Sequence, residues 1–191
     1  MPSRWFARCS LLVALAWGFS PAHADGGAAK ALELRGGSVT YTLVHKFHEV
    51  KGTSQKLEGR ALVSPDGSAK VQVRAPLASF DSGNSNRDAH MREATHELQH
   101  HYVTIWGRLA GVSVPLPAPL DTTMQAQVEL NGQKNAVPVA LKLESIEGKV
   151  RGTFSFPISL ESFKIERPEL LLIKVDDTVK IEGTLLFEEV R

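Results

Sequence analysis

FDSGNSNRDAHMREATHELQHHYVTIWG, residues 80–107, holds a turn cluster, an Arg-Asp pair, a helix-forming run, most of the histidines and an apolar strand. Two readings compete for it. His96-Glu97-Leu98-Gln99-His100 matches H-E-x-x-H, in which two histidines one helical turn apart share a face beside a glutamate that acts as base. The alternative is a short helix near residues 88–99 joining two β-strands and carrying polar side chains to a rim. Asp81-Ser82-Gly83-Asn84-Ser85-Asn86 is too rich in turn formers to continue a strand. The run after it has good helix formers without proline or glycine, and residues 102–109 return to β-pattern.

Zinc hydrolysis requires three protein ligands and an open position, with the glutamate acting on bound water. His96 and His100 are the candidate ligands, Glu97 the candidate base, and His90 or His101 would have to complete the set. The extended form of the motif needs glycine at Val103 and histidine at Trp106, so it is not met. The chain also turns to strand directly after the motif, so no second helix offers a glutamate. Met91 and Leu98 are the only large apolar residues of the run, whereas a protease motif helix is a buried element. No serine lies in a G-x-S-x-G elbow. The connecting-helix reading is preferred, without catalytic residues, bound metal or cofactor, and the zinc-dependent hydrolase stays as the alternative.

On both sides of this stretch the pattern has period two. Val39, Tyr41 and Leu43 alternate with Thr40, Thr42 and Val44, and residues 57–63 and 70–75 make two more strands around the turn Pro65-Asp66-Gly67. Residues 112–119 form a proline-broken connection that cannot lie in a central strand. Met124, Ala126, Val128 and Leu130 lead into the hairpin signal Asn131-Gly132, after which Val137, Val139, Leu141 and Leu143 share a face. Phe154 and Phe156 follow, then a looser stretch over 160–172, then Val179, Ile181, Gly183, Leu185 and Phe187. About eight antiparallel strands with one short helix define an all-β barrel or sandwich.

Arg4 and Arg8 precede the apolar run Leu11-Leu12-Val13-Ala14-Leu15-Ala16-Trp17, and Ala22-His23-Ala24 supplies small residues for a signal peptidase. Residues 1–24 therefore read as a signal peptide cleaved near Ala24, which places the mature chain in the periplasm or outside the cell. The apolar run is too short to span a bilayer and no other stretch approaches the length needed, so no integral anchor is expected. Residues 25–37 read as a flexible leader before a domain over 38–191. Of the 22 basic and 21 acidic residues, the signal removes two basic ones. A near-neutral domain argues against nucleic acid as a partner. Cys9, the only cysteine, leaves with the signal, so stability must come from a core.

A family resemblance rests on several of these segments. Ser82-Gly83-Asn84 followed by Arg87-Asp88-Ala89-His90-Met91-Arg92 and Val103-Thr104-Ile105 resembles the signature of the YceI-like lipid/polyisoprenoid-binding family. Ser38-Val39-Thr40-Tyr41 with His45, Val50-Lys51-Gly52-Thr53, Leu57-Glu58-Gly59 and Asp176-Asp177-Thr178-Val179-Lys180-Ile181 resemble its other landmarks in order. The resemblance implies an extended lipocalin-like antiparallel β-barrel whose interior holds an amphiphilic lipid, a polyisoprenoid or a fatty-acid derivative. A homodimer is left open.

On that reading Val39, Tyr41, Leu43, Val137, Val139, Leu141, Phe154 and Phe156 are expected to line the cavity, with His45, Arg87, His90 and Arg92 at a polar rim. Taken without the resemblance, the same apolar rows fit a structural β-domain with a filled core, the default for any buried sheet face.

Overall fold

The computed structural model describes residues 27–45, 48–167, 169–170 and 173–190. The expected signal peptide lies outside them. The strands are β1 (Lys30–His45), β2 (His48–Ser54), β3 (Glu58–Val63), β4 (Ala69–Pro76), β5 (Tyr102–Leu109), β6 (Leu120–Leu130), β7 (Gln133–Ile146), β8 (Lys149–Ser159), β9 (Glu169–Leu170), β10 (Ile173–Lys174) and β11 (Thr178–Glu189). Helix α1 (Ser85–Ala94) lies between β4 and β5, and single 3-10 turns occupy Leu77–Ser79 and Glu161–Phe163.

The main sheet is antiparallel throughout, in the order β11-β8-β7-β6-β5-β4-β3-β1-β2, and β11 also pairs with β1, which closes it. The first part of β1 pairs with β3 and the last part with β2, so β2 and β3 share one stave of an eight-stave barrel. Long hairpins set most of the register. At Asn131-Gly132 both residues take positive φ, the conformation a two-residue hairpin turn requires, and the pairing then runs from Leu130↔Gln133 to Leu120↔Leu143.

Two expectations about local structure need correction. The leader does not extend to residue 37, because β1 begins at Lys30, which pairs with Glu189 at 3.0 Å, and Leu32 is buried in the core. Gly36-Gly37 broke the alternation on which the sequence reading relied. The β1–β11 register shifts between Leu34 and Gly36, so Arg35 is an extra residue, and the inward set changes from Leu32 and Leu34 to Val39, Tyr41 and Leu43.

The helix also starts and stops earlier than 88–99. The Asn84 side chain accepts hydrogen bonds from the amides of Asn86 and Arg87 at 3.1 Å, which fixes the start. At the far end the Thr95 hydroxyl donates back to the Met91 carbonyl at 2.8 Å, and His96 follows with φ 48°. A left-handed residue ends the helix there.

The two ends of the barrel differ. One carries α1, the β6–β7 hairpin and residues 160–167 and 173–177, and is termed the helix end. The other carries the β3–β4 and β7–β8 turns and the proline-rich connection 110–119, and is termed the proline end.

Candidate functional site

An apolar cavity of about 150 Å³ lies inside the barrel. Its walls come from nearly every stave: Val39 from β1, Val71 and Val73 from β4, Ile105 from β5, Val128 from β6, Val139 and Leu141 from β7, Phe154 and Phe156 from β8, Ile181 and Leu185 from β11. Alternation puts each of these side chains inward. Every lining residue is apolar or glycine except Arg74, whose guanidinium lies on the outside, paired with Glu58 and 4.5 Å over the Tyr102 ring.

Both ends are plugged. At the proline end Val112 and Val114 reach the cavity from segment 110–119, and Val112 and Leu116 are buried among Leu32, Val63, Leu143 and Phe187. At the helix end Leu160, Phe163, Ile165 and Val175 turn into the mouth and pack on Leu77, Leu130, Val137 and Val179. Phe163, at 1% exposure, is the centre of that plug.

Depth along the barrel therefore divides the residues expected to line the cavity. Val39, Val139, Leu141, Phe154 and Phe156 border it. Tyr41, Leu43 and Val137 face inward on the same rows, but they belong to the packed cluster at the helix end. Tyr41 lies across Gly52 and meets Phe80 at a centroid distance of 5.8 Å. Burial raises the Tyr41 phenol pKa above its ordinary value, and the Asp88 carboxylate adds to this against the smaller opposing effect of Arg87.

The expected polar rim is not at the cavity. Arg87 and His90 are exposed on α1 and Arg92 is half-buried there, all at the helix end, and none of the three borders the cavity. Arg87 and Asp88 hold Ser82 from two sides: the guanidinium donates to its carbonyl at 2.8 Å, and the buried carboxylate accepts its amide at 3.0 Å. Their work is to fix the loop before the helix. His45 ends β1, opposite His48, and its side chain lies outside the described residues.

The histidine motif forms no metal-binding helix. His96 is left-handed and beyond the end of α1, so the regular spacing that would align it with His100 is lost. Its Nδ1 lies 2.8 Å from the Asn131 Oδ1, while the Asn131 amide nitrogen donates to the carbonyls of Phe163 and Lys164. With the Asn131 nitrogen committed as donor, its oxygen must accept, and Nδ1 of His96 carries the proton. The His100 ring covers Gly132, and Glu97 faces His101 at 3.5 Å. Among the described residues no group of three or more His, Cys, Asp or Glu is placed to hold a metal. The motif instead ties three loops of the helix end through Asn131.

Several lining residues were absent from the sequence-based set. Ile181 and Leu185 lie on a row whose alternation was visible, and Ile105 on a strand that was recognised. Val112 and Val114 carried no such signal, because a proline-broken connection does not reveal which side chains it turns inward.

An antiparallel barrel plugged at both ends around a wholly apolar space has the form of a ligand-enclosing β-barrel protein. The chain belongs to the YceI-like domain family, whose model matches residues 31–187. Two solved structures have the same fold. One is a polyisoprenoid binding domain from Saccharophagus degradans implicated in plant cell wall breakdown, with 15% identity, a TM-score of 0.68, and coverage of 83% of this chain and 98% of that one. The other is BcnA from Burkholderia cenocepacia, with 15% identity, a TM-score of 0.66, and coverage of 78% and 95%. No curated protein sequence matches the chain.

Proposed function

We propose that this protein is a periplasmic or secreted carrier that sequesters an amphiphilic lipid, a polyisoprenoid or a fatty-acid derivative, by burying its apolar tail in the barrel. The observation that carries this reading is the cavity whose lining offers a ligand nothing but apolar surface. Each methylene moved from water into such a space contributes roughly 0.8 kcal/mol, so a chain of several carbons is held without any inward polar contact. The Saccharophagus degradans relative, described as a polyisoprenoid binding domain, supports the same class of ligand. The action is binding without chemistry, because no activated nucleophile or acid–base pair faces the cavity among the described residues. Export follows from the reading of residues 1–24.

Native mass spectrometry of the protein exported by a bacterial host and purified without chelator tests the proposal. An adduct released on denaturation as an intact amphiphile supports the carrier and names its ligand class, and the same spectrum reads self-association and cleavage near Ala24. A bare mass that also fails to take up added fatty acid or polyisoprenol overturns it in favour of a filled core. A stoichiometric metal adduct without lipid also overturns it.

A further inference from the structure

With both ends of the barrel plugged, the route by which a tail reaches the cavity is not given by the fold class. Within the wall, β7 and β8 lose their ladder beyond Ala140↔Ser155, where the gap runs out to the helix end packed by Leu160 and Phe163, whereas a break beside β1 has pairing on both sides of it. β1 pairs with β3 from Lys30↔Val63 to Glu33↔Arg60, and with β2 from Val39↔Ser54 to His45↔His48. The register is the same on both sides, so Ser38 stands opposite Gln55 and Gly36 opposite Leu57. Between the two ladders, however, no pair joins residues 34–38 to residues 55–59.

The seam has the chemistry of an opening. On the β1 side Gly36 and Gly37 present no side chains, and a Cβ built on Gly36 meets nothing within 4 Å. On the other side residues 55–57 leave the strand conformation, with Gln55 and Lys56 exposed. The amide of Lys56 turns away from β1 to the Ser54 hydroxyl at 3.2 Å, and Ser54 is anchored to Ser79 at 2.6 Å. The cavity borders the seam directly, since Val39 on one flank and Leu57 on the other both line it.

Separating two paired staves breaks ladder hydrogen bonds, and opening either end withdraws a buried plug. Parting the seam requires neither. Its outer lip carries the Lys56 ammonium and the Gln55 amide, polar groups suited to an anionic or hydroxyl head that stays in water while its tail enters.

We propose that residues 35–38 and 55–57 form a lateral portal through which the apolar tail of an amphiphile enters and leaves the barrel. The inference rests on the carrier reading and adds the route. Because Cys9 is the only cysteine in the chain, the mature protein gives a clean background for a staple. Ser38→Cys with Gln55→Cys spans the seam on its outer face. Thr40→Cys with Thr53→Cys is the control, at a paired position where the native hydroxyls already lie 2.8 Å apart.

Stopped-flow uptake of cis-parinarate, a fluorescent polyene fatty acid, is measured for each protein oxidised and reduced. The seam staple should slow uptake and release at least tenfold when oxidised and recover on reduction, with the control changing less than twofold. Equal rates in both redox states, in a protein that binds the probe, overturn the portal and leave the carrier reading standing. A wild-type protein that does not take up the probe counts against the carrier reading itself and removes the portal with it. Amide exchange of the wild type supplies a second reading that needs no variant. Seam-facing amides of residues 36–38 and 55–57 as protected as those by which residues 40–43 bond to β2, or failure of the seam pair to cross-link where the control does, would also overturn the proposal.

Discussion

Leu141→Trp tests whether the tail occupies the cavity. Leu141 stands on β7, paired with Thr122 and Phe154, and its half-buried side chain packs against the cluster that includes Leu143 and Phe187 on one side and borders the cavity on the other. The indole adds about six heavy atoms, and if it displaces about four methylenes of ligand at about 0.8 kcal/mol each, the loss is about 3 kcal/mol. At about 1.4 kcal/mol per tenfold, that weakens binding by about two hundredfold. The fold should suffer little, since the ring enters space that is already open; overpacking a filled core would instead cost about 1–3 kcal/mol. The assay pairs a cis-parinarate titration with a urea unfolding curve. Thr123→Trp, on the exposed face of β6, is the control and should leave both unchanged. Affinity within twofold of wild type in a folded Leu141→Trp protein would refute the assignment of the tail to this cavity. Loss of stability with no measurable binding in either protein would instead mark the space as part of an ordinary core.

Three further outcomes are expected. Asn131→Ala removes three hydrogen bonds at about 1 kcal/mol each and places alanine at φ 50°, so urea unfolding should show a loss of about 3–4 kcal/mol; a loss under about 1 kcal/mol would show that Asn131 does not hold the three loops together. Because the native Tyr41 phenol titrates above the ordinary value of 10.0, the unfolded chain loses that proton first as pH rises, and stability falls from about pH 10 upward. Tyr41→Phe should remove that part of the alkaline slope, and parallel slopes in the two proteins would contradict the burial argument. Dialysis against EDTA, and separately Glu97→Gln, should leave cis-parinarate affinity within about twofold; a loss on either treatment would reopen the metal reading of His96 and His100.

What the sequence conveyed and what it withheld follow from the range of each signal. Alternation is local, so the inward face of Val39, Val139, Leu141, Phe154 and Phe156 could be read from a few neighbours, and the hairpin at Asn131-Gly132 from two residues. Depth is not local. Tyr41 and Val137 show the same alternation as their row-mates, and only the return of Phe163 and Ile165 into the barrel mouth makes them part of a plug. The β1 bulge at Arg35 hid the first strand turns for a related reason, since one extra residue breaks a period-two pattern without ending the strand. The histidine motif misled in the opposite direction. Its spacing is right, but spacing means a shared face only on a helix, and Thr95 and His96 end the helix before the motif begins.

The size of the cavity bears on how such a barrel would work as a carrier. An apolar cavity of about 150 Å³ in another protein takes a guest the size of benzene, whereas a polyisoprenoid or long acyl chain is several times larger. A tail of that length requires the interior to yield along the barrel axis, and the residues around the cavity differ in how readily they can. Val139 is almost fully enclosed in its strand row and has few rotamers to offer. Met124 is different: its thioether lies directly over Gly107, where any Cβ would collide with it, and its flexible unbranched chain can leave that place and take another. The tilted ring pair Phe154–Phe156, 6.1 Å between centroids, borders the same space. Flexible and aromatic side chains set against side-chain-free backbone make a cavity whose volume depends on its occupant. On the carrier reading the cavity widens as the tail enters, because a fixed apolar tunnel wide enough for the ligand would leave its wall without close-packed neighbours.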